Sequence, residues 1–62
     1  MNEFLTRQQV ADLLLVPEKT LATWAYMGTG PGFYKVGRHA RYRRVDLEQW
    51  LRAHRRHPAR VE

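Results

Sequence analysis

The short spacing between two helix-patterned segments is the feature that most constrains this fold. Their apolar residues recur three and four positions apart, the periodicity of one buried helix face. They are Val10, Leu13 and Leu14 in the first segment and Leu21, Trp24 and Ala25 in the second. Only Leu15-Val16-Pro17 separates the two segments. Two helices joined by so short a connection form a helix-turn-helix.

Local signals predict where these helices begin and end. Thr6 and Gln9 have the spacing of a capping box, which predicts a first helix over about 6–14. A helix tolerates proline only in its first turn, so Pro17 marks the start of the second helix. Gly28 is expected to cap the C-terminus of that helix.

A short antiparallel ribbon is predicted after the second helix. Residues 33–36 and 40–43 are rich in strand-forming types, and residues 37–39 have the composition of a turn. Alternation with period two predicts two sets of side chains. Tyr34, Val36, Ala40 and Tyr42 are expected to face the core, and Lys35, Arg41 and Arg43 to face solvent. A ribbon with a basic outer face and a glycine at its tip is a wing.

A third helix is predicted to begin near Asp46, because Asp46 and Gln49 repeat the capping spacing. Its apolar face is expected to carry Leu47, Trp50, Leu51 and His54. Both tryptophans, Trp24 and Trp50, are therefore expected to pack in the core. Pro58 cannot continue the helix. The prediction is a mainly α winged helix-turn-helix domain over residues 1–56, with a two-stranded wing, followed by a flexible basic tail over 57–62.

Composition limits the function classes. The 62 residues include no cysteine and no serine, so disulfides, thiolate metal sites and these two nucleophiles are unavailable. A domain of this size buries only about 60% of the surface that its unfolded chain exposes, which leaves little room for an enzyme pocket. We expect no catalysis, metal, cofactor or small-molecule effector. Without an apolar run of ~20 residues or a signal-peptide pattern, a cytoplasmic protein with no membrane contact is expected.

The charge balance favours a polyanionic partner. The chain has 11 basic and 6 acidic residues, a net charge of +5, and no acid between positions 19 and 45. The predicted wing concentrates five cations that can neutralise phosphates. They are Lys35, Arg38, Arg41, Arg43 and Arg44. Two alternatives stay open: arginines also protect exposed sheet edges, and arginines near the C-terminus also compensate a helix dipole.

The outer face of the second helix is the other candidate contact surface. A recognition helix presents its N-terminal side chains to base edges in the major groove. Lysine and threonine side chains hydrogen-bond there, and an alanine methyl contacts thymine. The candidates are Glu18, Lys19, Thr20, Ala22 and Thr23, and Tyr26 is also left outside. An ordinary solvated helix face gives the same pattern, so that alternative also stays open.

The chain resembles the excisionase-type members of the MerR-like winged helix-turn-helix superfamily. Two stretches carry the resemblance: LTRQQVADLL to VPEKTLATW, and then GTGPGFYKVGRHARYRRVDLEQWL. The resemblance covers about residues 5–51. It implies that the second helix enters the major groove of double-stranded DNA. It also implies that Arg38 and His39 approach the minor groove or its phosphates and that Arg41 meets a backbone phosphate. Further phosphate contacts are assigned to Arg7, Arg44, Arg55 and Arg56.

The resemblance implies a function as well. Such proteins are phage or mobile-element excisionases, recombination directionality factors of the bacterial cytoplasm that bend DNA beside an attachment site. Their expected partners are further copies on adjacent sites and a phage integrase. A small transcriptional regulator of the same fold is the first alternative, and a protein-interaction or antitoxin-like module is the second.

Two of the chain's departures from the family pattern concern the turn and the start of the second helix. Leu15 stands where the family commonly has glycine. Because a left-handed conformation costs a non-glycine residue about 1–2 kcal/mol, the turn is expected to be shaped differently. Pro17 stands where a serine usually begins the second helix, so one capping hydrogen bond is expected to be missing.

Overall fold

Three helices and three short strands make up residues 3–56, which are the residues described in this computed structural model. Their order is β1 (Phe4–Thr6), α1 (Arg7–Leu14), α2 (Glu18–Met27), β2 (Tyr34–Val36), β3 (His39–Arg43) and α3 (Arg44–Ala53). The predicted fold class, a mainly α winged helix-turn-helix, is confirmed. The tail predicted over 57–62 lies outside the described residues. Within residues 3–56, no helix has the length and apolar character that crossing a bilayer requires.

Helix α1 begins with a capping box and ends at a left-handed residue. The backbone N–H of Gln9 donates to Thr6 Oγ1 at 3.0 Å, and the N–H of Thr6 donates to Gln9 Oε1 at 2.9 Å. Both halves of the predicted box are therefore present. Leu15 follows α1 with φ 58° and ψ 42°, and the N–H of Val16 donates to the carbonyl of Ala11 at 3.0 Å. Leu15 thus adopts the left-handed conformation that glycine usually supplies, which the expectation of a differently shaped turn did not foresee.

Helix α2 starts without a side-chain cap. Its N-cap is Pro17, which makes no capping hydrogen bond, as the sequence predicted. Gly28 closes its C-terminus with φ 77°. Gly30, with φ 80°, then brings the following loop onto the helix, since a Cβ at that position would lie 2.8 Å from Trp24 Cβ. This approach fixes the direction in which the chain leaves α2.

The sheet has one more strand than the predicted hairpin. Strand β3 is central and pairs antiparallel with both β1 and β2. Leu5 of β1 lies opposite Tyr42, and both are buried. Sequence reasoning took residues 4–6 only as the approach to the first helix, because three residues are too few to show a strand alternation. β1 is held by pairing with a segment more than thirty residues away.

We use the name wing for β2, β3 and the two residues between them, 37–38. Val36 lies opposite His39, so the loop has two residues rather than the predicted three. Gly37 supplies a φ of 66°, as two-residue hairpin loops require. This one-residue difference reverses the facing of β2 relative to β3. Tyr34 and Val36, 46% and 56% exposed, do not face the core, and that prediction was wrong.

The pairing register redistributes the wing's side chains between the two sheet faces. Lys35 lies opposite Ala40, on the face that carries Tyr42. The predicted register placed Lys35 on the same face as Arg41 and Arg43. In the structure Lys35 lies on the opposite face. The outer face instead combines apolar and cationic groups. Its members are Phe4, Thr6, Tyr34, Val36, His39, Arg41 and Arg43.

Helix α3 follows β3 without a loop. It begins at Arg44 rather than near Asp46, and its N-cap residue Arg43 makes no side-chain capping bond. The prediction that Asp46 and Gln49 form a cap was wrong, because the ladder with β1 supplies a backbone partner instead. The N–H of Arg44 donates to the carbonyl of Glu3 at 2.9 Å. Asp46 lies in the first turn, where its charge complements the helix dipole.

The core is small and contains residues from all three helices and from strands β1 and β3. Its buried members are Leu5, Val10, Ala11, Leu21, Tyr42 and Leu47. Trp24 and Trp50 pack against this cluster with ring centroids 5.6 Å apart, which confirms their predicted core role.

Three residues predicted to face the core are instead exposed: Leu13, Leu51 and His54. On α1, Ala11 is buried in place of Leu13, which is 57% exposed. Positions 10, 11 and 14 form one helix face as well as positions 10, 13 and 14 do. On α3, Leu47 is buried, and His54 instead stacks on Trp50 with ring centroids 4.3 Å apart.

Candidate nucleic-acid interface

The first turns of α1 and α2 and the tip of the wing surround one open cleft of about 300 Å³. We call it the basic cleft. It is lined by Thr6, Arg7, Gln8, Glu18, Arg38, His39, Ala40 and Arg41. The lining includes three arginines and a single carboxylate, so the cleft is electropositive. The start of α2 and the wing tip therefore open onto the same side of the molecule.

The N-terminus of α2 adds backbone donors at this cleft. Because Pro17 provides no side-chain cap, the first-turn N–H groups of Glu18 and Lys19 have neither an intrahelical nor a capping partner among the described residues. The positive end of the helix dipole lies there too. Such a helix end favours a phosphate oxygen.

Two of the five cations that the sequence predicted for the wing line the basic cleft. Arg38 lies in the two-residue loop and is exposed, as is its neighbour His39. Arg41 lies on the central strand, opposite both Thr6 and Tyr34. Its Nη1 donates to the carbonyl of Ala40 at 2.9 Å, which limits its motion. These positions agree with phosphate contacts by Arg38 and Arg41, which stay a prediction.

Arg43 is engaged elsewhere, on the outer face of the sheet. Its Nη2 donates to Glu3 Oε2 at 3.3 Å in a salt bridge. Hydrogen bonds to Tyr34 and Glu3 raise the pKa of Arg43. Tyr34 and Phe4 meet edge to face beside it, with ring centroids 6.1 Å apart. A carboxylate thus offsets the Arg43 charge, and Arg43 is not among the residues that line the basic cleft.

Arg7, the first residue of α1, is held by the core. Its Nε donates to the Tyr42 hydroxyl at 3.2 Å. Its guanidinium carbon lies 5.5 Å from the centroid of the Phe33 ring, a cation–π distance. The Phe33 and Tyr42 rings lie 5.6 Å apart. Sequence reasoning assigned Arg7 to phosphate but gave no signal for these aromatic partners.

The outer face of α2 carries the residues predicted to contact bases. Lys19, Ala22 and Thr23 are exposed, whereas Thr20 is half-buried. Only Glu18 of the predicted set lines the basic cleft. Tyr26 is 91% exposed and lies one and two turns beyond Thr23 and Lys19 on the same face. Sequence reasoning left Tyr26 without a role, although its helical spacing from Lys19 was the available signal.

The remaining predicted phosphate contacts lie away from the basic cleft. Arg44 is the exposed first residue of α3, and Arg55 and Arg56 are exposed after its last turn. None of the three is among the residues that line the cleft. Their contact with phosphate stays a prediction.

Comparison with known proteins gives one family. A model described as a helix-turn-helix domain matches residues 4–55, most of the chain. No curated protein matches the chain. The matched segment contains α1, the tight turn, α2, the wing and α3, and the family supports DNA binding. The chain belongs to the helix-turn-helix domain family.

Proposed function

We propose that this protein is an excisionase, a recombination directionality factor that binds and bends duplex DNA beside the attachment site of a phage or mobile element. The observation that supports the proposal most is the basic cleft, which the start of α2 shares with the wing tip. A duplex presents a major groove about 12 Å wide next to a minor groove. Two elements projecting from one side can engage neighbouring grooves together.

In this proposal α2 enters the major groove. Lys19 and Thr23 approach base edges, where lysine donates to guanine and a threonine hydroxyl donates or accepts. Arg38 and His39 approach the minor groove, whose potential attracts inserted cations. Arg41 contacts a backbone phosphate and contributes affinity without sequence preference.

Bending is the proposed link from binding to recombination. Bending a site of 20–30 base pairs costs of order 1–6 kcal/mol, which several cooperatively bound copies can offset. Several copies on adjacent sites share that cost. The bent duplex then brings the sites of a separate integrase together. The protein performs no chemistry itself in this proposal.

A recombination assay tests the function directly. Purified integrase, attL and attR DNA and host factors are combined with and without this protein, and the excision product is measured. We expect excision only with the protein present, and circular-permutation gel shifts that report a bent complex. No gain in excision, with a straight complex, would contradict the proposal.

A matched pair of variants separates the wing's contact from the effect of net charge. Arg41→Ala removes a cation of the basic cleft, and Arg52→Ala removes an exposed cation from α3. We expect Arg41→Ala to weaken binding to all sequences and to lower the salt slope by about one ion, whereas Arg52→Ala leaves the slope unchanged. Equal effects would mean that only net charge matters.

A small transcriptional regulator would use the same surfaces, because one fold supports several functions. Salt-dependent operator binding with promoter repression and no effect on excision would indicate this alternative. An interaction or antitoxin-like module would instead show no steep salt dependence of DNA binding.

A further inference from the structure

We infer that Arg7 is a pre-positioned phosphate clamp and that Tyr42, through its buried hydroxyl, is the residue that positions it. The inference rests on the proposed DNA-binding function. Tyr42 cannot contact DNA itself, yet it determines the orientation in which Arg7 contacts a phosphate. Tyr42 is 1% exposed, so it acts only through Arg7.

The geometry leaves the anion-binding end of Arg7 available. The Nε–H is used by the Tyr42 hydroxyl at 3.2 Å, and one face of the guanidinium lies over Phe33. The two Nη groups remain, and they carry four of the five donors of an arginine. Arg7 lines the basic cleft, and two Nη groups match two phosphate oxygens side by side.

Arg7 differs from the other arginines of the cleft in being held while both of its Nη groups stay without a hydrogen-bond partner among residues 3–56. Arg41 uses one Nη group on a backbone carbonyl, and Arg38 has no side-chain hydrogen bond among residues 3–56. No carboxylate, including that of Glu18, forms an ion pair with Arg7 in the described part of the chain. A side chain ordered before binding loses less conformational entropy when it meets its ligand.

The position of Arg7 is unfavourable for helix stability alone. It is the first residue of α1, whose first turn contains no acid. A cation at a helix N-terminus is repelled by the positive end of the macrodipole and so destabilises the helix. An anion bound there is attracted by both the macrodipole and the arginine. A residue that violates a local preference marks a functional site more often than a neutral position does.

A double-mutant cycle tests the inference. Affinity for a 20-base-pair duplex and its salt slope are measured for wild type, Arg7→Ala, Tyr42→Phe and the double variant, each shown folded by its thermal unfolding curve. We expect Arg7→Ala to weaken binding about tenfold, by the loss of a charged hydrogen bond, and to lower the slope by about one. Tyr42→Phe should weaken binding about threefold, but have no effect when Arg7 is already alanine.

Arg7→Lys separates charge from geometry. Lysine keeps the charge but lacks the Nε donor and the planar fork. We expect it to keep the salt slope, to bind more weakly than wild type, and to make Tyr42→Phe silent. A structural role for Tyr42 would instead lower affinity equally in all three backgrounds, and that result would overturn the inference.

A measurement on the free protein tests the geometry without DNA. The Nε–Hε proton of Arg7, held by Tyr42, should exchange slowly with water in NMR spectra, and Tyr42→Phe should abolish this protection. Fast exchange in the wild type would overturn the inference. If wild type binds DNA but the cycle is additive, the inference alone fails. If wild type shows no salt-dependent binding, the proposed function fails with it.

Discussion

Replacing Leu15 with glycine should stabilise this protein. Leu15 has φ 58° and ψ 42°, and a left-handed non-glycine residue costs about 1–2 kcal/mol. Glycine loses more backbone entropy on folding, which offsets about 0.5–1 kcal/mol. The leucine side chain is 89% exposed, so almost no burial is lost. The expected net gain is about 0.5–1 kcal/mol, or roughly 2–8 °C in Tm for a domain of this size.

Thermal unfolding followed by far-UV circular dichroism measures this gain, and two controls isolate its cause. Leu15→Ala removes the exposed side chain but keeps the Cβ, so its Tm should stay close to that of wild type. Leu13→Gly places glycine at an exposed position inside α1 and should cost about 1 kcal/mol. If Leu15→Gly were no more stable than Leu15→Ala, the strain assigned to this turn would be refuted.

Three further predictions concern the α2 loop, the cleft and the recognition face. Gly30→Ala should cost about 2 kcal/mol or more in denaturant unfolding, because its Cβ would meet Trp24 at 2.8 Å at a strained positive φ. Its matched control Gly32→Ala, with nothing within 4 Å, should be near neutral. Glu18→Gln removes the one carboxylate of the basic cleft and should raise nonspecific DNA affinity about threefold in fluorescence anisotropy; unchanged affinity would mean that DNA does not approach the cleft. Thr23→Ala should change the ratio of specific to nonspecific affinity rather than the salt slope, and an equal loss on all sequences would count against a base contact.

Local sequence signals predicted the boundaries of α1 and α2. The capping box at Thr6 and Gln9, the start of α2 after Pro17 and the glycine at its end all involve residues within four positions of each other. Their geometry depends little on the rest of the molecule. The left-handed conformation of Leu15 was not predicted, because its cost for a non-glycine residue favoured a turn of another shape.

The sheet was predicted less completely, because its register depends on distant partners. β1 contains three residues and exists only by pairing with β3. The wing loop could be drawn with two or three residues, and that single choice decides which face Tyr34 and Val36 occupy. The start of α3 at Arg44 follows from the same pairing, which no local capping pattern reveals.

The candidate site was likewise predictable only in the part that depends on local sequence. Its charge was visible in the sequence, since cations cluster around the wing and acids are missing there. Which cations share a cleft was not visible: Arg7 joins Arg38 and Arg41, whereas Arg43 is paired with Glu3 on the outer sheet face. These assignments depend on strand register and on packing against Phe33 and Tyr42.

The most direct test of the whole account is an NMR titration of the isotopically labelled protein with a duplex containing its target site. The account predicts that amide signals of α2, at Lys19 and Thr23, and of the wing, at Arg38 and Arg41, shift together with one shared affinity. Perturbations confined to the outer sheet face around Phe4, with α2 and the wing tip unchanged, would contradict it.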